Sequence, residues 1–160
     1  MTVDALAAAA GVGKQTIYRW WPSKGAVLAE ALTERAATEV ADPDSGSVIA
    51  DLEAFLVATF RNLRVPAVAT SLRAVMVEAQ SDPGTAEVLA QFTTKRRIAM
   101  RRLLERGQRR GELARQADLD LLVEQAFGFI WYRLLVGHAP FTRDAATRLV
   151  RGLVTQAKAP

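Results

Sequence analysis

The stretch at residues 2–24, TVDALAAAAGVGKQTIYRWWPSK, constrains this chain most, because its apolar, glycine and polar positions fall at the spacing of a helix-turn-helix. Thr2 is placed to cap a short helix over residues 3–10, in which Leu6, Ala7 and Ala10 share an inward face. Gly11, free to take positive φ, ends it, and Val12 plugs the corner between the two axes. A second helix is predicted over about residues 14–20. Ile17 and Trp20, three apart, close the same small core, and the small Ala7 lets the axes approach. Lys14, Gln15, Thr16, Tyr18 and Arg19 are left on the outer surface. Those side chains suit a nucleic-acid groove: Lys and Arg donate to guanine O6 and N7, Gln pairs with adenine, and Thr and Tyr hydroxyls reach phosphate.

Gly11-Val12-Gly13-Lys14-Gln15-Thr16 has some likeness to the end of a phosphate-binding loop, and spacing excludes it. Such a loop needs a glycine five positions before Gly13 and a hydroxyl directly after the lysine. Ala8 and Gln15 stand there, and the preceding segment is alanine-rich helix, not strand. The plain alternative is a pair of packed surface helices. Against it, AAAGVGKQTIYRWWPSKGAVL resembles the N-terminal signature of TetR-type transcriptional regulators, in which glycine-valine, a short recognition helix with a tyrosine, and aromatic-Pro-Ser-Lys opening a further helix recur together. The resemblance implies that Lys14, Gln15 and Thr16 meet bases and phosphates, and that Tyr18 and Lys24 grip the DNA backbone. It is confined to the first thirty residues, apart from the all-helical length of the rest and GELARQADLDLLVEQAFGFIWYRLL, which is similar to the approach to the dimer-forming helices of one regulator subgroup.

Family members carry a helix ahead of the threonine-rich start of the second, and here Met1 stands immediately before that start. A lid over Leu6, Ile17 and Trp20 would protect side chains worth roughly 1.5–3 kcal/mol each when buried. The expectation is therefore that the native product begins upstream. The rival is a short form that dimerises and takes ligand without holding DNA.

With 160 residues, 50% of them hydrophobic, the chain can bury a real core: one helical body behind a small head. Cysteine is absent, so disulfides, thiolate chemistry and cysteine zinc sites are excluded, in keeping with a reducing cytoplasm. No secretory leader is expected, and the longest apolar run, at residues 126–132, is far short of the roughly 20 needed to span a bilayer. The net charge of +4 is unevenly placed. Residues 1–25 hold three cations (Lys14, Arg19, Lys24) against Asp4, whereas residues 95–115 hold nine against Glu105 and Glu112. That second cluster is expected to be a solvated helix face, since its arginines go round the helix while Ala99, Met100, Leu103 and Leu104 stay inward.

Beyond the head, Ser23 caps a connector helix predicted to about residue 40, and the turn cluster Asp42-Pro43-Asp44-Ser45-Gly46 marks the boundary between residues 1–42 and a body at 47–160. Ser47 then caps a helix with the stripe Ile49, Leu52, Phe55, Leu56, Phe60 and Leu63. Pro66 opens a segment carrying Val68, Leu72, Val75, Met76 and Ala79. Pro83 starts a long helix to about residue 106 with Val88, Leu89, Phe92, Ala99, Leu103 and Leu104 inside, and Gly107 and Gly111 at its exit. Asp118 caps a helix over about residues 119–136 that is apolar on nearly all sides and is predicted to stop by Pro140. A last helix over about residues 142–157 carries the stripe Ala146, Leu149, Val150, Leu153 and Val154. Both faces of apolar surface on these two helices predict a homodimer through a two-fold four-helix interface. No stretch alternates with the period of a strand, so the fold class is all-α.

No catalytic or metal-ligating pattern emerges. The one histidine, His138, lies beside Gly137 and Pro140 at a helix end, and no carboxylate joins His, Ser or Lys in an acid-base or nucleophile arrangement. No enzyme activity, cofactor or metal is expected. The set Phe55, Met76, Phe92, Met100, Phe127 and Trp131 converges toward the centre of the body, with Thr59, Asn62 and Gln125 able to supply polar contacts. For any one of these, ordinary core packing is the competing reading. The resemblance implies an effector cavity there, with Phe55, Thr59, Met76, Phe92, Phe127 and Trp131 as its residues. It also implies a ligand-responsive repressor whose two recognition helices enter a palindromic double-stranded DNA operator and which a small, mainly apolar effector releases.

Overall fold

The structure, a computed structural model, describes residues 42–158, and every regular element among them is an α-helix. In order these are α1 Val48–Leu63, α2 Pro66–Glu78, α3 Pro83–Arg109, α4 Leu119–Val136 and α5 Arg143–Ala157. The helix-turn-helix and connector predicted at residues 2–40 lie outside the described residues.

Local chemistry sets the ends. Ser47, Asp82, Asp118 and Thr142 hold extended backbone, and each accepts a hydrogen bond from the N–H three residues on, occupying a donor that the first helical turn leaves open. Pro66 stands in the first turn of α2, where its missing N–H removes nothing. At the end of α3, Gly111 takes φ +78°, and the Glu112 N–H reaches back to the Gly107 carbonyl at 2.9 Å. This is a Schellman stop. Gly107 itself, expected at the exit, lies inside the helix. Gly137 at φ +67° ends α4 three residues before Pro140, and the Arg73 Nε of α2 donates to the open Leu134 carbonyl at 2.6 Å.

α1 is the hub, packed chiefly on α5 and next on α3, while α3 also carries α4 and α2. Phe55, Phe60, Leu52 and Leu56 of α1 meet Met100, Leu103 and Leu104 of α3, Leu122 and Leu134 of α4 and Val150 of α5 in one continuous core. Phe141 packs edge-on to Phe60 with centroids 5.0 Å apart.

Several burial expectations change. Ile49 is 41% exposed and Val48 is buried in its place. Counting back from Leu52, positions three and four away are both in phase, and α3 decides between them by offering a gap at Gly107 that Val48 fills. Val88, Leu89, Phe92 and Ala99 are half-buried, and the residues wholly inside α3 are Thr85, Arg96, Met100, Leu103, Leu104 and Gly107. At 27 residues, α3 outruns both the 16-residue α1 and the 13-residue α2, so no one neighbour covers its length. The stripe on α5 expected to meet a second copy is used within the chain: Ala146, Val150, Leu153 and Val154 are buried, with α1 the main neighbour.

The basic cluster at 95–115 is also not a simple solvated face. Arg97 pairs with Glu124 at 3.2 Å, and Arg101 with Glu105 at 2.9 Å and with Asp120. Arg106 and Arg110, one turn apart, grip the segment by which the chain enters the body. Arg106 binds Asp42 at 2.7 Å and the Pro43 carbonyl at 2.6 Å, and Arg110 reaches Asp44 at 3.4 Å and Glu112 at 2.6 Å. The hydrogen bond from Arg106 holds the Asp42 carboxyl below its ordinary value. Glu112 in turn accepts the first N–H of α1, from Val48, at 2.7 Å, and buried Asp51 accepts from the Ser45 N–H and hydroxyl at 2.8 and 2.7 Å. The C-terminal end of α3 and residues 42–51 are thus one hydrogen-bonded unit.

Candidate functional site

The body holds a small, partly open cavity where α1, α2, α3 and α4 meet. On α1, Phe55 and Thr59 are four apart and so share a face. The Thr59 hydroxyl donates to the Phe55 carbonyl at 2.8 Å and accepts from Arg96 Nη2 of α3. The Arg96 guanidinium carbon lies 4.7 Å from the centroid of the Phe55 ring, within reach of the attraction between a cation and a ring face. Burial pushes Arg96 down to about 10, so it keeps its charge at neutral pH. Among the described residues no carboxylate pairs with it.

Beside this guanidinium lies a space of about 40 Å³. Thr59, Leu63 and Leu72 line one side, Phe92, Thr93 and Arg96 of α3 another, and Phe127, Ile130 and Trp131 of α4 the third. Four of the six expected ligand residues, Thr59, Phe92, Phe127 and Trp131, are brought together here. The other two are not on the wall. Phe55 is buried behind Arg96, and Met76 is half-buried on α2, away from the lining. Met100 is wholly within the core. Asn62 does not line the space, and Gln125 is exposed on another surface, because a helix position one residue off phase points about 100° away.

Arg96 is the residue that the sequence reading missed. Its signal was phase: it falls four after Phe92 and four before Met100, on the inward stripe.

A separate open groove of about 550 Å³ runs between α4 and α5, past Gln125, Phe129, Arg133, Leu149 and Gly152. Near it α4 leaves Tyr132 59%, Leu135 50% and Val136 59% exposed. His138 at the end of α4 rests against the Tyr132 ring, centroids 4.5 Å apart. Among the described residues no cluster of His, Asp and Glu could hold a metal ion, and no helix is long and apolar enough to cross a membrane.

Lys14, Gln15, Thr16, Tyr18, Arg19 and Lys24 lie outside the described residues, but a family comparison reaches them. The model described as bacterial regulatory proteins, tetR family, matches residues 1–31, which marks the protein as a helix-turn-helix regulator that binds DNA. The model described as tetracyclin repressor-like, C-terminal domain, matches residues 42–153. The chain belongs to the TetR family of transcriptional regulators. It is 34% identical over 160 residues to the uncharacterized HTH-type transcriptional regulator YdeS of Bacillus subtilis, covering 96% of this chain and 79% of that one. It is 32% identical over 155 residues to the uncharacterized regulator Rv1556 of Mycobacterium tuberculosis, covering 96% and 76%. Its fold matches the crystal structure of the TetR family transcription regulator SCO0332 with a TM-score of 0.81 at 32% identity, over 99% of this chain and 87% of that one.

Proposed function

We propose that this regulator is a homodimeric repressor of a palindromic operator that a small, mainly apolar effector releases, acting in the cytoplasm and catalysing no reaction. Residues 1–42 form the DNA-binding unit and its connector, and residues 47–160 the ligand-binding and dimerising body. Lys14, Gln15 and Thr16 meet bases and phosphates, Arg19 adds a donor on the same outer face, and Tyr18 and Lys24 hold the backbone. Two copies join through the exposed apolar side of α4 and the face of α5 that its packing on α1 leaves outward, setting the heads about one helical turn, roughly 34–36 Å, apart. The tetR-family match over residues 1–31 disfavours the rival reading of a dimerising module without DNA binding.

The observation that carries the response is the double duty of α3. Its middle lines the cavity through Phe92 and Arg96, and its end grips residues 42–44 through Arg106 and Arg110. An effector that favours a shifted α3 therefore also moves the point where the chain leaves the body, and it weakens DNA binding by its difference in affinity for the two states.

Selection of duplexes from a random pool, followed by binding at several salt concentrations, tests the DNA half. Lys24→Ala is expected to weaken all duplexes alike and to reduce the salt slope by about 1, while Gln15→Ala alters base preference at one position per half-site. Recovery of only non-palindromic sequences, or an identical profile for both variants, would overturn the assignment.

A further inference from the structure

We propose that the cavity beside Arg96 receives the carboxylate of a monoanionic ligand whose remainder is an aliphatic or aromatic body. This rests on the reading of that cavity as the effector site, and it changes the ligand from a mainly apolar molecule to an amphiphilic acid.

The charge on Arg96 is unbalanced among the described residues. Arg96 is only 9% exposed, yet its partners among the described residues are one hydroxyl and one aromatic ring. Arg101 and Arg106 on the same helix each have carboxylates. A buried cation without a counter-charge is costly, and a leucine or methionine at position 96 would continue the stripe of Phe92 and Met100 without that cost. A ligand anion is the missing term.

Geometry selects the kind of anion. One face of the guanidinium is covered by Phe55 and one Nη2 donor is taken by Thr59, so the in-plane donors that remain are what an anion entering beside it can meet. That planar fork matches a carboxylate with two parallel hydrogen bonds. Thr59 is an orienting residue and not a second donor, since its proton is committed to the Phe55 carbonyl. With one cation and walls of leucine, isoleucine and aromatic rings, a dianion such as a phosphate monoester would leave a charge unmatched.

Volume then says how the ligand enters. A space of about 40 Å³ holds a carboxylate head and little more, whereas ligand pockets commonly run to about 300–1,000 Å³. The body of the acid then lies against half-buried Phe92, Phe127 and Trp131, which belong to α3 and α4. A ligand there bears on α3, the helix whose end holds residues 42–44.

Isothermal titration of the whole protein with octanoate and benzoate, each against its uncharged partner, 1-octanol and benzyl alcohol, tests this. At least one acid is expected to bind about tenfold or more tighter than its alcohol, and Arg96→Gln to weaken that acid by about tenfold to a hundredfold while moving the alcohol less than about twofold. Arg96→Lys, which keeps the charge and loses the fork, is expected to fall between. Equal binding of acid and alcohol, or an acid indifferent to Arg96→Gln, would overturn the anion assignment and leave an apolar effector cavity standing. Absence of binding by all four would overturn the cavity reading as well. If Arg96→Gln does not fold, the acid-against-alcohol difference in the native protein and the Arg96→Lys value decide.

Discussion

A Cβ added at position 107 would stand 2.6 Å from Val48 Cγ2 and 2.7 Å from Val48 Cβ, closer than real side chains approach. Gly107→Ala gains about 1 kcal/mol in helix propensity. Overpacking costs about 1–3 kcal/mol, and Val48 is β-branched, so it cannot swing aside. The steric term wins because the clash involves the root of that side chain. A net loss of up to about 2 kcal/mol is expected in thermal melts, and Gly107→Ala combined with Val48→Ala is expected to lose less than the sum of the two single changes, since the Cγ2 contact is then gone. At this scale the sequence spoke unevenly. The tetR-family match over residues 1–31 was legible from one motif, because a short helix-turn-helix is specified by local spacing. Arg96 was not, because charge argues for the surface while phase argues for the interior, and only the position of Phe55 and Thr59 on another helix resolves the conflict.

Helix ends were the most readable elements, since caps act over three or four residues. Gly137 at φ +67° stops α4, and Gly137→Ala is expected to lower stability by about 1 kcal/mol, measured by denaturant melts, because an alanine pays the left-handed strain that glycine avoids. The link between α3 and the entry segment involves residues more than sixty positions apart, so no local pattern announces it. Arg106→Ala is expected to cost under about 1 kcal/mol in stability, since Asp42 and Asp44 are largely exposed. The same change is expected to blunt the release of operator by effector, read as the shift in DNA affinity with and without ligand. An unchanged shift would show that the response travels by another route. The Asp42 carboxyl is lowered in the folded state, so its share of this link is present above the ordinary carboxylate range and is lost as pH falls through the depressed value.

For the molecule as a whole, α4 is the element whose two sides face different surroundings. Leu122, Ala126, Ile130 and Leu134 are buried in the chain, while Leu121, Tyr132, Leu135 and Val136 are exposed. In a two-fold interface each substitution acts twice. Leu135→Glu is expected to raise the dimer dissociation constant at least about a hundredfold in sedimentation velocity, from two desolvated charges, and to weaken operator binding with it. A native protein that sediments as a monomer would remove the dimer from the proposal. The sequence by itself determined the all-α class, the capped helix starts at Ser47 and Asp118 and the family, because each depends on spacing within a few turns of one helix. Tertiary structure alone decided that α5 spends its stripe on α1, that Val48 and not Ile49 points inward, and that a lone arginine lies beside a cavity too small for most ligands. Those outcomes depend on which helix lies opposite, and periodicity within one helix fixes the direction of a face without saying what will cover it.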